Sequence, residues 1–306
     1  MANLMMYVSL QEDDKIALFA IDGVTGRLTR QGEFAVLGGP APLAIDPTKR
    51  FLYAGRRGAC VLSSFSIEPG TGRIAQIGEV RLATDPCFLS TDRTGRFVLA
   101  SYYEGRGITI HAVGSDGAAV GPPVEKRETA RGAHSIQTDP SNRFAFVSHI
   151  AGGRGPNAIY QFRFDAETGR LTPNTPPELH PEQPDGPRHF CFHPTRDIVY
   201  FSNEQGCSVT AYALDTSGGV LSPFQTVSTL PEGYSGGNSC SKIRITPSAA
   251  SWIRSLGAGK EIRSMVAHAI RRDSKLRRPE AKTMPMTSTS DWFSIRWRWF
   301  RCGWVS

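Results

Sequence analysis

No run of 18 apolar residues occurs in the 306-residue chain, so its sequence encodes no helix able to cross a bilayer. The apolar stretch at residues 4–10 is too short for the core of a secretory signal and is followed at once by Gln11-Glu12-Asp13-Asp14, which makes a cytoplasmic chain the expectation. The six cysteines (Cys60, Cys87, Cys191, Cys207, Cys240 and Cys302) form no C-x-x-C pair and keep no regular spacing. That argues against a disulfide framework and a zinc site, and leaves buried free thiols. Tryptophan is absent from the first 248 residues, and net charge nearly so: these residues sum to −1, whereas residues 249–306 carry +8 and all five tryptophans. Two motifs lack the surroundings their chemistry requires. Residues 233–237 fit G-x-S-x-G but run from Leu230-Pro231-Glu232 into Asn238, with no strand before and no helix after. The glycine-rich residues 152–156 lack phosphate-loop spacing. Both read as loops.

Glycine (31) and proline (21) are plentiful, as suits a chain of many tight turns. IDPTKRFLYA at residues 45–54 recurs as STDRTGRFVLA (90–100), QTDPSNRFAFV (137–147) and FHPTRDIVYF (192–201), and a fifth copy begins as RITPS at 244–248. Asp46, Asp92, Asp139, His193 and Thr246 are then 46, 47, 54 and 53 residues apart, a period that signals repeat architecture. A second ladder runs beside it: FAIDGVTGRLT (19–29), FSIEPGTGRIA (65–75), FDAETGRLT (164–172) and YALDTSGGVLS (212–222), with a degraded copy, HAVGSDGAAV, at 111–120. In the first ladder a turn feeds Arg-Phe and a β-branched or aromatic run. In the second, an apolar strand ends at an acid and passes through a glycine hairpin before a strand resumes. Four short antiparallel strands per period is the pattern of a propeller blade, so an all-β propeller is expected over residues 1–248, with about five blades present.

These repeats, with GAHSIQTDP (132–140), GPRHFCFHP (186–194) and SNEQGCSV (202–209), resemble the lactonase family of seven-bladed β-propellers. The resemblance implies metal-free and cofactor-free opening of an anionic lactone, 6-phospho-glucono-1,5-lactone, or lactonization of a muconate-type substrate. It places the family's site histidine at His134, its arginine at Arg188 with His189 beside it, and its glutamate at Glu204. The chemistry of these side chains suits such a reaction. Arg188 offers a planar fork of donors to a phosphate, a carboxylate or a developing oxyanion. His134, with an ordinary value near neutrality, is suited to activating water or protonating the departing ring oxygen, and Glu204 to orienting an imidazole or acting as base. The residues do not rank His134 against Glu204. His193 occupies a turn position held elsewhere by aspartate and is expected to be structural.

After Ser248 the pattern breaks. Relatives would continue as G-R-F-L-Y and supply a second site arginine, whereas this chain reads Ala249-Ala250-Ser251-Trp252. Residues 249–306 are read as a non-repeat tail translated out of frame. A divergent extension and an interfacial or nucleic-acid-binding segment are the competing readings, the last suggested by WFSIRWRWFRCGW at 292–304. There the arginines and aromatics sort to neither face, so neither membrane nor nucleic acid is expected as a partner, and the oligomeric state is open.

Overall fold

The aspartates of the first ladder close the turns that define the repeat. In the computed structural model, which describes residues 4–245 and the backbones of 252–256 and 265–266, the Asp139 carboxylate accepts the backbone N–H groups of Ser141, Arg143 and Phe144 and the Ser141 hydroxyl. Asp46 and Asp92 do the same for their own turns. All three are buried, so these bonds replace the water that each carboxylate loses. At His193 the ring Nδ1 accepts the Thr195 N–H at 3.1 Å, which makes this histidine the turn-closing group, as expected.

Each turn leads into the second strand of a four-stranded antiparallel sheet. The four complete sheets are β4 (Pro40–Ile45), β5 (Phe51–Arg56), β6 (Val61–Ile67) and β7 (Ile74–Arg81); β8 (Phe88–Thr91), β9 (Phe97–Tyr102), β10 (Gly107–Ala112) and β11 (Glu125–Glu128); β12 (Ala133–Thr138), β13 (Phe144–His149), β14 (Ala158–Phe164) and β15 (Leu171–Leu179); and β16 (Pro187–Phe192), β17 (Ile198–Asn203), β18 (Ser208–Asp215) and β19 (Val220–Ser228). A three-stranded sheet precedes them, β1 (Leu4–Leu10), β2 (Lys15–Ile21) and β3 (Leu28–Ala35). Another follows, β20 (Cys240–Ile245), β21 (Trp252–Leu256) and β22 (Met265–Val266). Six sheets are thus described where the repeats alone suggested about five. The backbone continues as β21 where the sequence shows no repeat; the remainder of the proposed tail, and the RITPS break itself, lie outside the described residues.

The strands that open each sheet, β4, β8, β12, β16 and β20, lie next to one another in sequence order, which is the inner wall of a propeller. Five apolar clusters fill the spaces between successive sheets. Second strands are therefore covered on both faces: β9 and β13 are buried at every residue, which is why they read as continuous apolar runs. Outer strands such as β7 and β19 leave most of their residues in contact with solvent. The two ladders also lock into each other. The hairpin glycines Gly117, Gly169 and Gly219, all at positive φ, lie against Phe51, Phe97 and Phe144, the aromatic that starts the second strand one sheet earlier.

Candidate active site

A β-bulge in the inner strands aims the candidate residues. In β12, Ala133 pairs with His149 and Ser135 with Ser148, leaving His134 as the extra residue. In β16, Pro187 pairs with Asn203 and Phe190 with Phe201, so Arg188 and His189 together face one residue. Shifts of the same kind lie at Ala41-Pro42 in β4 and at Ser241-Lys242 in β20. An extra residue bends the strand and re-aims its side chains. Here it brings neighbouring side chains toward the axis at one end of the wall.

The four expected residues meet there. The His134 and His189 rings stand edge to face with centroids 5.0 Å apart; Tyr103 lies against His134 at 5.8 Å and Phe88 against His189 at 5.2 Å. Arg188 Nε is 2.6 Å from Glu204 Oε2, an ion pair whose two side chains are 20% and 24% exposed. The arginine is held at several points. Its Nη1 donates to Ser241 Oγ at 2.7 Å, and its backbone carbonyl accepts hydroxyl bonds from Ser135 at 2.9 Å and Ser148 at 2.5 Å. Ser202 accepts the His189 N–H and donates to the Ser241 carbonyl at 2.7 Å, tying β16 to β20. Arg57 lies farther around the rim, where Nε and Nη2 both donate to Asp85 Oδ2, at 3.1 and 2.7 Å.

The electrostatics depart from one expectation. Burial, then the Arg188 charge, push the His134 imidazolium well below its ordinary value, so this ring is neutral at pH 7 rather than titrating near it. His189 is pushed down in the same way by burial, Arg188, His134, Lys242 and Arg244. His134 Nδ1 and both ring nitrogens of His189 lie buried without a hydrogen-bond partner. Burial also raises the Tyr103 hydroxyl, which bonds to Arg154 from the glycine-rich loop, and the Cys87 thiol, whose Sγ lies 3.2 Å from the Ala133 carbonyl. Cys87 is thus a protonated, packed thiol and not a nucleophile.

Sequence reasoning missed Tyr103, Cys87, Phe88, Ser241, Lys242 and Arg57. A signal for four of them was present in the spacing from each turn residue. Five positions before it stand Cys87, His134, Arg188 and Ser241, and eleven after it stand Arg57, Tyr103 and Glu204. The G-x-S-x-G residues lie in the loop between β19 and β20, and residues 152–156 in the loop between β13 and β14, as expected.

Antiparallel blades around a bulged inner wall, with an arginine–glutamate pair and two neutral histidines at one end, define a propeller with a polar central site suited to an anionic carbonyl compound. The profile of the family described as Lactonase, 7-bladed beta-propeller matches residues 5–253, and the chain belongs to that family. It is 32% identical over 243 residues to a 6-phosphogluconolactonase of Pectobacterium carotovorum, covering 79% of this chain and 71% of that one. It is 31% identical, with the same coverage, to the 6-phosphogluconolactonase of Pectobacterium atrosepticum. Among solved structures, the periplasmic gluconolactonase of Pseudomonas aeruginosa superposes with a TM-score of 0.73 at 20% identity, covering 83% of this chain and 75% of that one. A Lactobacillus plantarum protein gives 0.73 at 18% identity, covering 88% and 82%.

Proposed function

We propose that the chain hydrolyses a sugar-phosphate lactone, 6-phospho-glucono-1,5-lactone, to 6-phosphogluconate. The observation that carries this reading is the Arg188–Glu204 pair set beside two buried, neutral histidines in a lactonase propeller. Water adds to the lactone carbonyl, the ring ester C–O bond breaks, and the departing ring oxygen takes a proton. Arg188, fixed by Ser241 and by the hydroxyls on its own carbonyl, stabilises negative charge on the carbonyl oxygen as the tetrahedral intermediate forms. Glu204 fits the role of base better than His134, because protonating a buried imidazole close to the Arg188 charge is penalised twice. His134 serves as a neutral hydrogen-bonding partner of the substrate or water through its unpaired Nδ1.

We propose cytoplasmic carbohydrate metabolism, along the pentose phosphate route, as the setting, because a phosphorylated lactone is the product of oxidising a sugar phosphate at its anomeric carbon. No helix among the described residues is long and apolar enough to cross a membrane. Steady-state hydrolysis by Glu204→Gln and His134→Asn separates the two roles. Loss of the base lowers kcat by about 10²–10⁴-fold, and loss of a neutral hydrogen-bonding partner lowers it by roughly tenfold. A larger loss in His134→Asn than in Glu204→Gln reverses the assignment.

A further inference from the structure

The bulge that aims Arg188 and His189 recurs one sheet later with a residue of different chemistry. In β20, Cys240 pairs with Leu256 and Ile243 with Arg254, so Ser241 and Lys242 share the bulged position. Ser241 takes the place of Arg188, and Lys242 that of His189 in β16 and of Phe88 in β8. At β12 the same position is Ser135, which bonds to Ser148 and the Arg188 carbonyl, but where it carries a large side chain, in β8 and β16, the Phe88 and His189 rings meet at 5.2 Å although a complete sheet separates theirs. Lys242 therefore faces the same axis, next to His189 and Arg188, and its charge is felt at His189.

Two features of this corner ask for an anion. His189 is 9% exposed, and neither of its ring nitrogens has a hydrogen-bond partner, a cost that a bound acceptor removes. Lys242 itself is exposed, and among the described residues the charges that act on it, those of Arg244 and Arg188, are both positive. Partial loss of solvation and these two guanidinium groups bring its ammonium down to about 8. The Glu204 carboxylate is engaged by Arg188.

We propose that Lys242 is a substrate-binding residue of this site, its ammonium receiving the phosphate group of the lactone together with a ring N–H of His189. The assignment rests on the lactonase reading above and adds how the site distinguishes a phosphorylated lactone from a plain one. A compact ammonium suits a phosphate as a point charge, and the dianion relieves the repulsion among Lys242, Arg188 and Arg244.

The test is steady-state hydrolysis of 6-phospho-glucono-1,5-lactone and of unphosphorylated glucono-1,5-lactone by the full chain, Lys242→Met and Lys242→Arg. A charge-assisted contact predicts that Lys242→Met lowers the ratio of the two kcat/KM values by roughly 10–100-fold, mainly through KM for the phosphorylated substrate, and that Lys242→Arg restores most of it. In the wild type, KM for the phosphorylated lactone rises as pH passes about 8. The charged and titratable groups that act together with Lys242 are Arg188 and His189 on β16 and Arg244 on its own strand, and that limb disappears in Lys242→Met. An unchanged ratio, or equal losses on both substrates, overturns the assignment. If the wild type hydrolyses neither lactone, the parent reading fails, and calorimetric titration with inorganic phosphate decides on Lys242 alone. Binding that is weakened in Lys242→Met at unchanged melting temperature supports it, and no binding or equal binding overturns it.

Discussion

Replacing Arg188 by methionine removes one side chain that serves four neighbours. Glu204 loses its ion-pair partner at 2.6 Å, Ser241 loses the donor at 2.7 Å, and both histidines lose a positive charge that depresses them. Loss of a donor aimed at developing negative charge costs about 10²–10³-fold in kcat, roughly 3–4 kcal/mol. The stability cost is smaller. Removing one member of a fully buried pair costs about 3–5 kcal/mol, but these side chains are 20% and 24% exposed, which brings the expected loss to roughly 1–3 kcal/mol. With the Arg188 charge gone, the imidazolium values of His134 and His189 rise toward the ordinary histidine value, since that charge lowers both. Three readouts follow: lactone hydrolysis under saturating substrate, chemical denaturation, and the histidine ring-proton shifts against pH. Because Arg188 and Glu204 act as a pair, Arg188→Met/Glu204→Gln is expected to be little worse than the poorer single variant. Hydrolysis within about threefold of wild type, or strict additivity in the double variant, would refute the catalytic role of the pair.

The remaining predictions concern fold, pH and gene. Gly169→Ala, at φ +73° and with a new Cβ 2.6 Å from the Phe97 ring, combines a positive-φ penalty of about 1 kcal/mol with an overpacking cost of about 1–3 kcal/mol; a lower thermal midpoint with unchanged site chemistry is expected. His111, His134, His149 and His189 are all pushed down by burial, His149 to about 3. Their neutral forms favour the folded state, so stability is complete above the unfolded value of about 6.5 and is lost as pH falls below it. Denaturation midpoints at pH 7.5 and 5.5 check this, and a flat profile contradicts it. For residues 249–306 we propose out-of-frame translation. Codons for Ser248-Ala249-Ala250-Ser251-Trp252 written TCG-GCC-GCT-TCC-TGG, read one nucleotide earlier, give Gly-Arg-Phe-Leu, the start of the next expected strand, although the codon after that gives Asp in place of Tyr. Sequencing the gene across this junction should show those bases, and codons that cannot be read so exclude the idea.

The repeat was legible because its two ladders are physical necessities. A buried aspartate must find donors, and Asp46, Asp92 and Asp139 find them in their own turns. A hairpin glycine must yield to the ring of the preceding sheet, as Gly169 does to Phe97. The convergence of His134, Arg188, His189 and Glu204 was legible only through family motifs, since these residues are up to 70 positions apart. The bulges were not legible, because an extra residue in a strand changes no residue type. Lys242 therefore looked like an ordinary strand residue until the register of β20 placed it. The depression of His134 was hidden for a related reason: burial and the nearness of Arg188 are properties of the assembled wall.

The most direct measurement follows ring opening of 6-phospho-glucono-1,5-lactone by NMR at pH 6.5, with and without the purified full chain. A lactonase site predicts acceleration well above spontaneous hydrolysis, proportional to protein concentration and lost in Arg188→Met. A folded, β-rich protein that leaves the spontaneous rate unchanged would contradict it.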